Sequence, residues 1–584
     1  MGNPQPAGLR IVGVTSSSDT DPTGYARPRV PTGYGVATGL ITAAVAMGVA
    51  QLVAGITGPQ GSPVVAVGGA AIDATPAPLK NFAISAFGAN DKTVLVIGIL
   101  VLLAVFAALI GVAAVRRLSY GLAGLAVFTL IGLLAALSRP ASGPADAIPV
   151  LAGAAAAVLV MVRLVRAAAG TTARAARPAS SPGSARPEPG QPGQDELPTG
   201  HEPGASWVPA GAGQGAGSPA GARPADRVAQ PDRRRFLVNG SVAVAVAGVG
   251  ALAGRALSER SSVAQARASL HIPRPQHTVP GLPPGADLHI PGLSPFITPN
   301  SAFYRVDTAI ILPQVAPSGW QLRIHGMVER ELTLTLDQLL RLPLVENYTT
   351  LTCVSNPVAG PYIGNARWLG ASLASLLRQA GIRPGADQLL CTSADGFTSG
   401  VPVQAVLDGR DALLAVAMNG AALPIAHGFP VRMVVPGLYG YVSACKWITD
   451  IEVTTYAANT AYWARRGWDA QAPIKTESRI DVPADGSTVP AGRTTVAGVA
   501  WAQHKGIDAV QVRADRGPWQ QARLAAVPGI DTWRQWAWRW QATPGSHLIE
   551  ARATDATGYT QTPAQAPPEP NGATGYPAIT ITVR

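Results

Sequence analysis

Four long, almost uncharged apolar stretches in the first 170 residues constrain the fold of this chain more than any other feature. They cover residues 34–56, 93–115, 122–137 and 147–165. A helix needs about 20 consecutive apolar residues to cross the hydrocarbon core of a bilayer. Hydrophobic residues make up 47% of the chain and are concentrated in these stretches. We therefore predict an all-α transmembrane bundle over residues 31–170, preceded by a cytoplasmic tail of residues 1–30.

The arginines around these stretches predict the orientation of the bundle. Cytoplasmic flanks of membrane helices carry an excess of Lys and Arg. If the stretches alternate in direction, the arginines that flank them all fall on one side. That side is therefore cytoplasmic, and the loop of residues 58–92 lies outside the cell. The arginines are Arg27, Arg29, Arg116, Arg117, Arg163, Arg166, Arg174 and Arg177.

Residues 171–232 are rich in Pro, Gly, Ala, Ser and Arg, as in "ARPASSPGSARPEPGQPGQ". This composition buries too little apolar surface to offset the entropy cost of ordering. We predict a disordered cytoplasmic linker. Its arginines contribute to the net charge of +11, so the charge is explained without a nucleic-acid partner.

The segment at residues 233–262 begins with "RRRFL" and continues with a mild stretch of Gly, Ala and Val. It is typical of a twin-arginine export signal. The alternative is a fifth transmembrane helix with a basic anchor. Both interpretations place the rest of the chain on the extracytoplasmic side of a bacterial cell membrane.

The exported part holds the three cysteines of the chain, Cys353, Cys391 and Cys445. An odd, small number does not build a disulfide scaffold. Cys391 and Cys445 lie in apolar runs, which favours a role in the core. Cys353 is open to three interpretations: a core residue, a nucleophile with a base such as His427, or a metal ligand. The chain has no CxxC or HxxxH spacing, so a metal here needs ligands from outside the protein.

Four blocks between about residues 290 and 456 resemble the molybdopterin domain of the sulfite oxidase family. They read "TLTCVSN", "IGNARWLG", "SADGFTSGVP" and "MNGAALPIAHGFPVRMVVPG". The resemblance implies an α+β domain. Residues 476–584, with "WRQWAWRW" and "IEARATDATGYTQT", resemble the dimerisation domain of the family, an immunoglobulin-like β-sandwich. Residues 263–289 and 457–475 would then be a linker and a connector.

The resemblance also implies the cofactor and its ligands. In the family one molybdopterin holds the molybdenum through two dithiolene sulfurs, and one protein cysteine completes the site. By resemblance Cys353 is the catalytic cysteine and the metal ligand, and Asn356 and Pro357 shape the turn that presents its thiolate. The implied molybdopterin-binding residues are Asn300, Tyr304, Arg305, Ser393, Asp395, His427, Arg432, Ser443 and Lys446.

Two departures from the family pattern concern the substrate. Sulfite oxidases carry an Asn-Arg-Arg block after the ligand cysteine, where this chain reads Asn356-Pro357-Val358. Their active-site tyrosine corresponds to Trp468 in "YWARRGW". Loss of an arginine that pairs with a buried anion typically costs a few kcal/mol. We therefore expect a small substrate other than sulfite.

The electron partner is expected to be a separate molecule. The chain has no CxxCH haem motif, and the four predicted spans contain no histidine. The sequence thus predicts a membrane-anchored, extracytoplasmic molybdenum oxidoreductase that transfers an oxygen atom in a two-electron reaction and serves a quinone or cytochrome. Oxidation of a small sulfur compound and reduction of a sulfoxide or similar oxide both stay open, and a homodimer is a further expectation. The alternatives are a membrane-tethered binding protein that has lost its metal, and a cysteine hydrolase.

Overall fold

The computed structural model describes residues 30–57, 61–75, 91–138, 143–169, 232–260 and 263–584. The predicted cytoplasmic tail and disordered linker lie almost entirely outside the described residues. The chain divides into two compact units, which are treated separately below. One contains residues 1–45, 103–126 and 155–246, and the other contains residues 46–102, 127–154 and 247–584.

The described residues of the N-terminal part form helices, as predicted, and among them five helices are long and apolar enough to cross a membrane. The third of these begins four residues before the predicted start, which brings it to 20 residues. A short helix that was not predicted lies in the segment between the first two of these helices. The helices are α1 (Thr32–Thr57), α2 (Pro63–Ala74), α3 (Asp91–Arg116), α4 (Leu118–Leu137), α5 (Ala147–Ala169) and α6 (Arg233–Arg260).

Glycines allow the backbones of these helices to pack closely against one another. In the first unit, a Cβ on Gly39 of α1 would come within 1.9 Å of the Ala107 carbonyl oxygen of α3. In the second unit, a Cβ on Gly48 of α1 would lie 2.5 Å from the Ala247 carbonyl oxygen of α6. Small residues at helix contacts are typical of membrane bundles, where van der Waals packing drives association. The sixth helix is therefore packed as an integral member of the bundle.

The middle of the chain forms two sheets and short helices around two hydrophobic clusters, in agreement with the predicted α+β class. The first sheet has the order β2-β1-β10-β5-β6, and the second has the order β3-β4-β7-β8 with β9 beside β7. Strand β7 reads "LLAVAM" and is buried along its whole length, as expected for a strand covered on both faces. The strands are β1 (Gln321–Gly326), β2 (Leu332–Thr335), β3 (Leu344–Thr352), β4 (Ile363–Ser372), β5 (Gln388–Ser393), β6 (Thr398–Pro402), β7 (Leu413–Met418), β8 (Ala421–Ala422), β9 (Arg432–Val434) and β10 (Ile448–Thr454). The helices are α7 (Val263–Ser269), α8 (Leu336–Leu340), α9 (Leu373–Ala380), α10 (Val403–Leu407) and α11 (Gly440–Ser443).

Residues 263–289 were expected to be a linker. The first of them, directly after α6, pack on the middle domain. The Arg267 guanidinium donates to the carbonyl oxygens of Leu423 and Ala422, both at 2.6 Å. Val263 is buried in the core around Phe303. An apolar side chain and a charged hydrogen-bond donor together hold this segment on the middle domain.

The C-terminal part consists of two sheets that share one hydrophobic core. Trp536 and Trp538 come from one sheet, and Val510 and Ile549 come from the other. The alternating tryptophans of β17 point to one face, as period-2 spacing requires. This agrees with a β-sandwich, and the immunoglobulin-like class stays a prediction. The sheets have the orders β11-β13-β17-β16 and β12-β19-β18-β14-β15. The strands are β11 (Glu477–Val482), β12 (Thr488–Val489), β13 (Gly492–Trp501), β14 (Ile507–Ala514), β15 (Gln520–Gln521), β16 (Arg523–Leu524), β17 (Arg534–Ala542), β18 (Gly545–Asp555) and β19 (Ala578–Val583).

Candidate functional site

Cys353 lies immediately after the buried strand β3, at the start of a tight turn. Its backbone N–H donates to the Tyr362 carbonyl oxygen at 2.9 Å. The Asn356 side-chain oxygen accepts from the Tyr362 N–H at 2.8 Å, and the Gly360 N–H donates to the Pro357 carbonyl oxygen at 2.8 Å. These bonds fix the position of the thiol through the backbone on both sides of it.

The environment of Cys353 fits a metal ligand better than a nucleophile. The side chain is buried, and burial raises the pKa of the Cys353 thiol above its ordinary value. A nucleophilic cysteine needs a lowered pKa and an adjacent base, and no hydrogen bond joins Cys353 to His427 among the described residues. A bound metal ion instead removes the thiol proton itself.

The other two cysteines are core residues, as predicted. Cys391 and Cys445 are both buried, and none of the three cysteines is in a disulfide. The Cys391 sulfur lies 3.8 Å from the Met433 sulfur, inside the core of the middle domain.

Arg432 provides a buried positive charge on strand β9. The side chain is 4% exposed, and its guanidinium carbon lies 5.0 Å from the centre of the Trp368 ring. One terminal nitrogen donates to the His427 carbonyl oxygen at 3.1 Å, whereas Nε is buried without a partner among the described residues. Burial lowers the pKa of Arg432 to about 10. The group is therefore charged at neutral pH and has hydrogen-bonding capacity to spare.

His427 is a neutral member of the same cluster. Its Nε2 lies 3.3 Å from the Asn300 carbonyl oxygen. A carbonyl only accepts, so the proton is on Nε2. Burial, followed by the nearby charges of Arg432 and Lys446, lowers the pKa of His427 to about 4.

Lys446 and Arg305 share one carboxylate. Asp307 lies 2.9 Å from the Lys446 Nζ and 2.8 Å from the Arg305 Nε. Burial lowers the pKa of Lys446 to about 8 even though Asp307 opposes the shift. Arg432 is close enough to lower the pKa of Lys446 as well, so the cluster combines three cations with the carboxylate of Asp307. Asp307 was missed from the sequence, although its position two residues after Arg305 was a signal.

The remaining predicted molybdopterin-binding residues differ from one another in their burial and hydrogen bonding. Tyr304 lies beside the thiol, and burial, followed by the proximity of Cys353, raises the pKa of its hydroxyl. Ser443 is buried, but its hydroxyl donates to the Leu438 carbonyl oxygen at 2.8 Å and is already used. Ser393 has a buried hydroxyl without a partner among the described residues. Asp395 accepts from the Phe397 N–H at 3.2 Å and closes a turn.

This cluster fits an anionic cofactor. Unpartnered buried donors remain on Arg432 and Asn356. Gly428 has φ +107°, and a Cβ there would lie 2.9 Å from the Arg432 Cβ, so a side chain would crowd the cations. The described residues contain no group of three or more His, Cys, Asp or Glu side chains that could hold a metal ion. A single thiolate is therefore suited to a metal whose other ligands come with the cofactor.

Trp468, expected in place of the family's active-site tyrosine, lies in an aromatic cluster. Its ring centre is 6.1 Å from that of Tyr441 and 6.1 Å from that of Trp463. Neither Tyr441 nor Trp463 was predicted as a site residue. Neither carries a charge or a metal-ligand spacing, so no sequence signal singled them out.

Comparison with known proteins identifies the group to which this chain belongs. Residues 309–463 match the oxidoreductase molybdopterin binding domain family. Sulfite oxidase of Gallus gallus is 32% identical over 325 residues, which cover 47% of this chain and 69% of that protein. The chain belongs to the sulfite oxidase family. Its cofactor is therefore molybdenum held by molybdopterin, and the protein is an oxidoreductase, which favours that interpretation over a metal-free binding protein or a cysteine hydrolase.

Other members match over a smaller share of their length. Mitochondrial sulfite oxidase of Homo sapiens is 31% identical over 295 residues, 42% of this chain and 52% of that protein. The chain thus spans about half of the mitochondrial sulfite oxidases it matches. Among solved structures, the sulfane dehydrogenase SoxCD from Paracoccus pantotrophus aligns with a TM-score of 0.41 and 24% identity, over 46% of this chain and 74% of that one.

Proposed function

We propose that this protein is a membrane-anchored, extracytoplasmic molybdenum oxidoreductase that transfers an oxygen atom to or from a small substrate in a two-electron reaction. One observation carries the proposal. The buried thiol of Cys353 lies in the same domain as a cation-rich cluster that has too few carboxylates to neutralise it. A dithiolene pterin with a phosphate tail supplies the missing negative charge and the missing metal ligands.

Each residue of the cluster has a distinct expected role. Arg432 and Lys446 hold the anionic cofactor through charge-assisted hydrogen bonds. His427 stays neutral and positions the groove through Asn300. Cys353 ligates the metal. The cofactor supplies the two-electron oxygen-atom chemistry, and the buried turn around Cys353 excludes water from the thiolate.

The helices support the proposed anchoring and orientation. In the first unit, the rings of Tyr34 on α1 and Phe236 on α6 are 4.8 Å apart. In the second unit Gly55 of α1 approaches Gly254 of α6. The two helices are therefore parallel, and the segments that follow them emerge on the same side of the bilayer. Arg116, Arg117, Arg166 and Arg233 are all at the opposite, N-terminal end of α1 and α6, as the positive-inside rule requires for a cytoplasmic face.

One contact supports an extracytoplasmic catalytic domain. A Cβ on Gly68 of α2 would lie 2.8 Å from the Cδ1 atom of Ile310 in the middle domain. Helix α2 belongs to the loop between the first two spans, which we expect on the outer side. Electrons then pass to a separate partner, a quinone or a cytochrome, and the C-terminal sandwich is expected to form the homodimer contact.

The test is the molybdenum content and activity of the full chain, expressed in a host that makes molybdopterin and purified in detergent. Cys391→Ser is the matched control for Cys353→Ser, because both cysteines are buried and free. We expect near-stoichiometric molybdenum in the wild type and the control. Oxygen-atom transfer should be lost in Cys353→Ser alone. A folded wild-type protein without molybdenum would contradict the proposal.

A further inference from the structure

An apolar segment of the middle domain packs against the short helix α2. It covers residues 306–312 and reads "VDTAIIL", and we call it the apolar loop. A Cβ on Gly68 of α2 would lie 2.8 Å from the Cδ1 atom of Ile310 in this loop and 3.9 Å from the Cδ1 atom of Ile99 in α3. Gly68, Ile99 and Ile310 all belong to the second compact unit. The apolar loop therefore lies beside two helices of the N-terminal part.

The position of Ile99 indicates how far the apolar loop reaches along α3. Helix α3 begins with Asp91 and Lys92 and carries no further charge until its last residue. Ile99 is seven residues after Lys92, which corresponds to about 10 Å along the helix axis. It belongs to residues Val94–Arg116, which are long and apolar enough to cross a membrane. If α3 spans the bilayer as proposed, Ile310 lies beyond its charged end, at the level of the hydrocarbon.

Exposed side chains make the surface of the apolar loop hydrophobic. Val306 is 42% exposed and Ile311 is 37% exposed. In α3, Ile97 and Leu102 are 56% and 60% exposed. Soluble domains rarely expose large apolar patches, and such patches mark contacts with a partner or a membrane. Because Ile310 joins the loop to α3, the same partner covers both, and for a spanning helix that partner is the acyl chains of lipids.

The charges at the start of the loop are compatible with insertion into a membrane. The Asp307 side chain is only 5% exposed, and its carboxylate pairs with Lys446 at 2.9 Å and with Arg305 at 2.8 Å. Residues 308–312 carry no charge. Charged groups at membrane depth need partners, because an unpaired charge in hydrocarbon is costly. The loop therefore turns its carboxylate away from the bilayer, and the half-exposed Arg305 is suited to lipid phosphates at the surface.

We infer that the apolar loop inserts its exposed side chains among the acyl chains of the outer leaflet and forms a second membrane contact of the catalytic domain, besides α6. The inference rests on the proposed membrane anchoring and orientation. A depth of about 5–10 Å is typical of elements that lie in the membrane interface. Since Asp307 also pairs with Lys446, the contact holds this edge of the cation-rich cluster at the membrane surface. The catalytic domain then has one fixed orientation on the bilayer.

Site-directed fluorescence of the full chain in lipid nanodiscs tests the inference. One cysteine is introduced at a time and labelled with an environment-sensitive fluorophore. The variants are Ile311→Cys and Val306→Cys in the loop, Leu102→Cys in α3 and Ile530→Cys in the C-terminal domain. Ile530→Cys is the matched control for Ile311→Cys, because both isoleucines are exposed. The three native cysteines are buried and free, and wild-type protein treated with the same reagent measures their background labelling.

Two quenchers report the surroundings of each label. One is phosphatidylcholine with a nitroxide on the upper part of its acyl chain, and the other is iodide in the water. The nitroxide lipid should quench the labels at positions 311 and 306 about threefold more strongly than the label at position 530, and to a similar extent as the label at position 102. Iodide should give the reverse order. An unchanged midpoint of thermal unfolding verifies that each labelled variant is folded.

The label at position 102 separates the inference from the proposal on which it rests. Strong nitroxide quenching at position 102, together with labels at positions 311 and 306 that behave like the label at position 530, would overturn the inference and leave the membrane anchoring standing. A label at position 102 that the nitroxide lipid does not quench would overturn the proposed anchoring, and the inference with it. Insertion of the loop requires no molybdenum, so the result does not depend on how much cofactor the protein carries.

Discussion

The cation-rich cluster and the aromatic cavity differ in the charge that they present. In the cluster, Arg305 and Lys446 pair with Asp307, and Arg432 adds a third cation. A cavity of about 110 Å³, lined by Tyr441, Tyr456 and Trp463 among others, has no Lys, Arg or His among its lining residues. A buried charge without a partner costs several kcal/mol, so the unpartnered Nε of the buried Arg432 favours an anionic ligand in the cluster. Positive charge is therefore concentrated in the cluster and does not extend to the aromatic cavity.

The largest effect on molybdenum content is expected from Arg432→Met, which removes a buried charge from the cluster. Because Arg432 is buried and has an unpartnered Nε, its loss removes a charge-assisted contact of about 2–5 kcal/mol to the anionic cofactor. Molybdenum per protein, measured by mass spectrometry, should fall more than tenfold. The matched control is Arg513→Met, which removes another arginine stacked on a tryptophan, at 4.3 Å from the Trp519 ring. Equal losses of molybdenum in both variants would show that the lost arginine–tryptophan stacking, and not a lost contact to the cofactor, lowers the molybdenum content.

A smaller loss is expected from Lys446→Met. Its ammonium is paired with Asp307 at 2.9 Å, so part of its charge is already compensated. Molybdenum content should fall roughly tenfold, in line with one charged hydrogen bond of 1.5–3 kcal/mol. Asp307→Asn should lower it less, and the double variant should resemble Lys446→Met because the two residues act together. Additive losses would mean that Asp307 acts independently of Lys446.

The smallest expected effect concerns the neutral histidine of the cluster. The pKa of His427 is about 4 in the folded protein, below its ordinary value of 6.5. Between these values the unfolded chain binds a proton that the folded chain does not, so acidification favours unfolding. His427→Gln should abolish this contribution, which is about 2 kcal/mol at pH 5.

Thermal unfolding followed by tryptophan fluorescence at pH 7.5 and 5.0 measures the effect of His427→Gln. The midpoint of the wild type should fall by a few degrees more than that of the variant on acidification. An equal fall in both proteins would mean that His427 is already protonated in the folded state.

Much of the architecture was predictable because it depends on composition. Long apolar stretches predicted the helices that are long and apolar enough to cross a membrane, and alternating tryptophans predicted a covered strand in the C-terminal domain. Helix α2 was missed because its 12 residues are too few to span a bilayer and lie in a segment interpreted as a loop. Its boundaries depend on packing against α4 and α5, which the sequence does not reveal.

The candidate site was predictable only because four sequence blocks resemble the sulfite oxidase family in the same order. Cys353, His427, Arg432 and Lys446 each have ordinary interpretations when taken singly, and the structure brings the last three into one cluster. The ion pair of Asp307 with Lys446 joins residues 139 positions apart. The aromatic cavity was missed for a related reason, since its walls come from separate segments and carry no spacing typical of a site.

The proposed function depends above all on Cys353 as the protein ligand of the molybdenum. X-ray absorption at the molybdenum edge, on the full chain and on Cys353→Ser and Cys391→Ser, tests it most directly. The account predicts one sulfur neighbour fewer around molybdenum in Cys353→Ser, replaced by a lighter atom, and an unchanged sulfur count in Cys391→Ser. The same number of sulfur neighbours in Cys353→Ser and the wild type would contradict it.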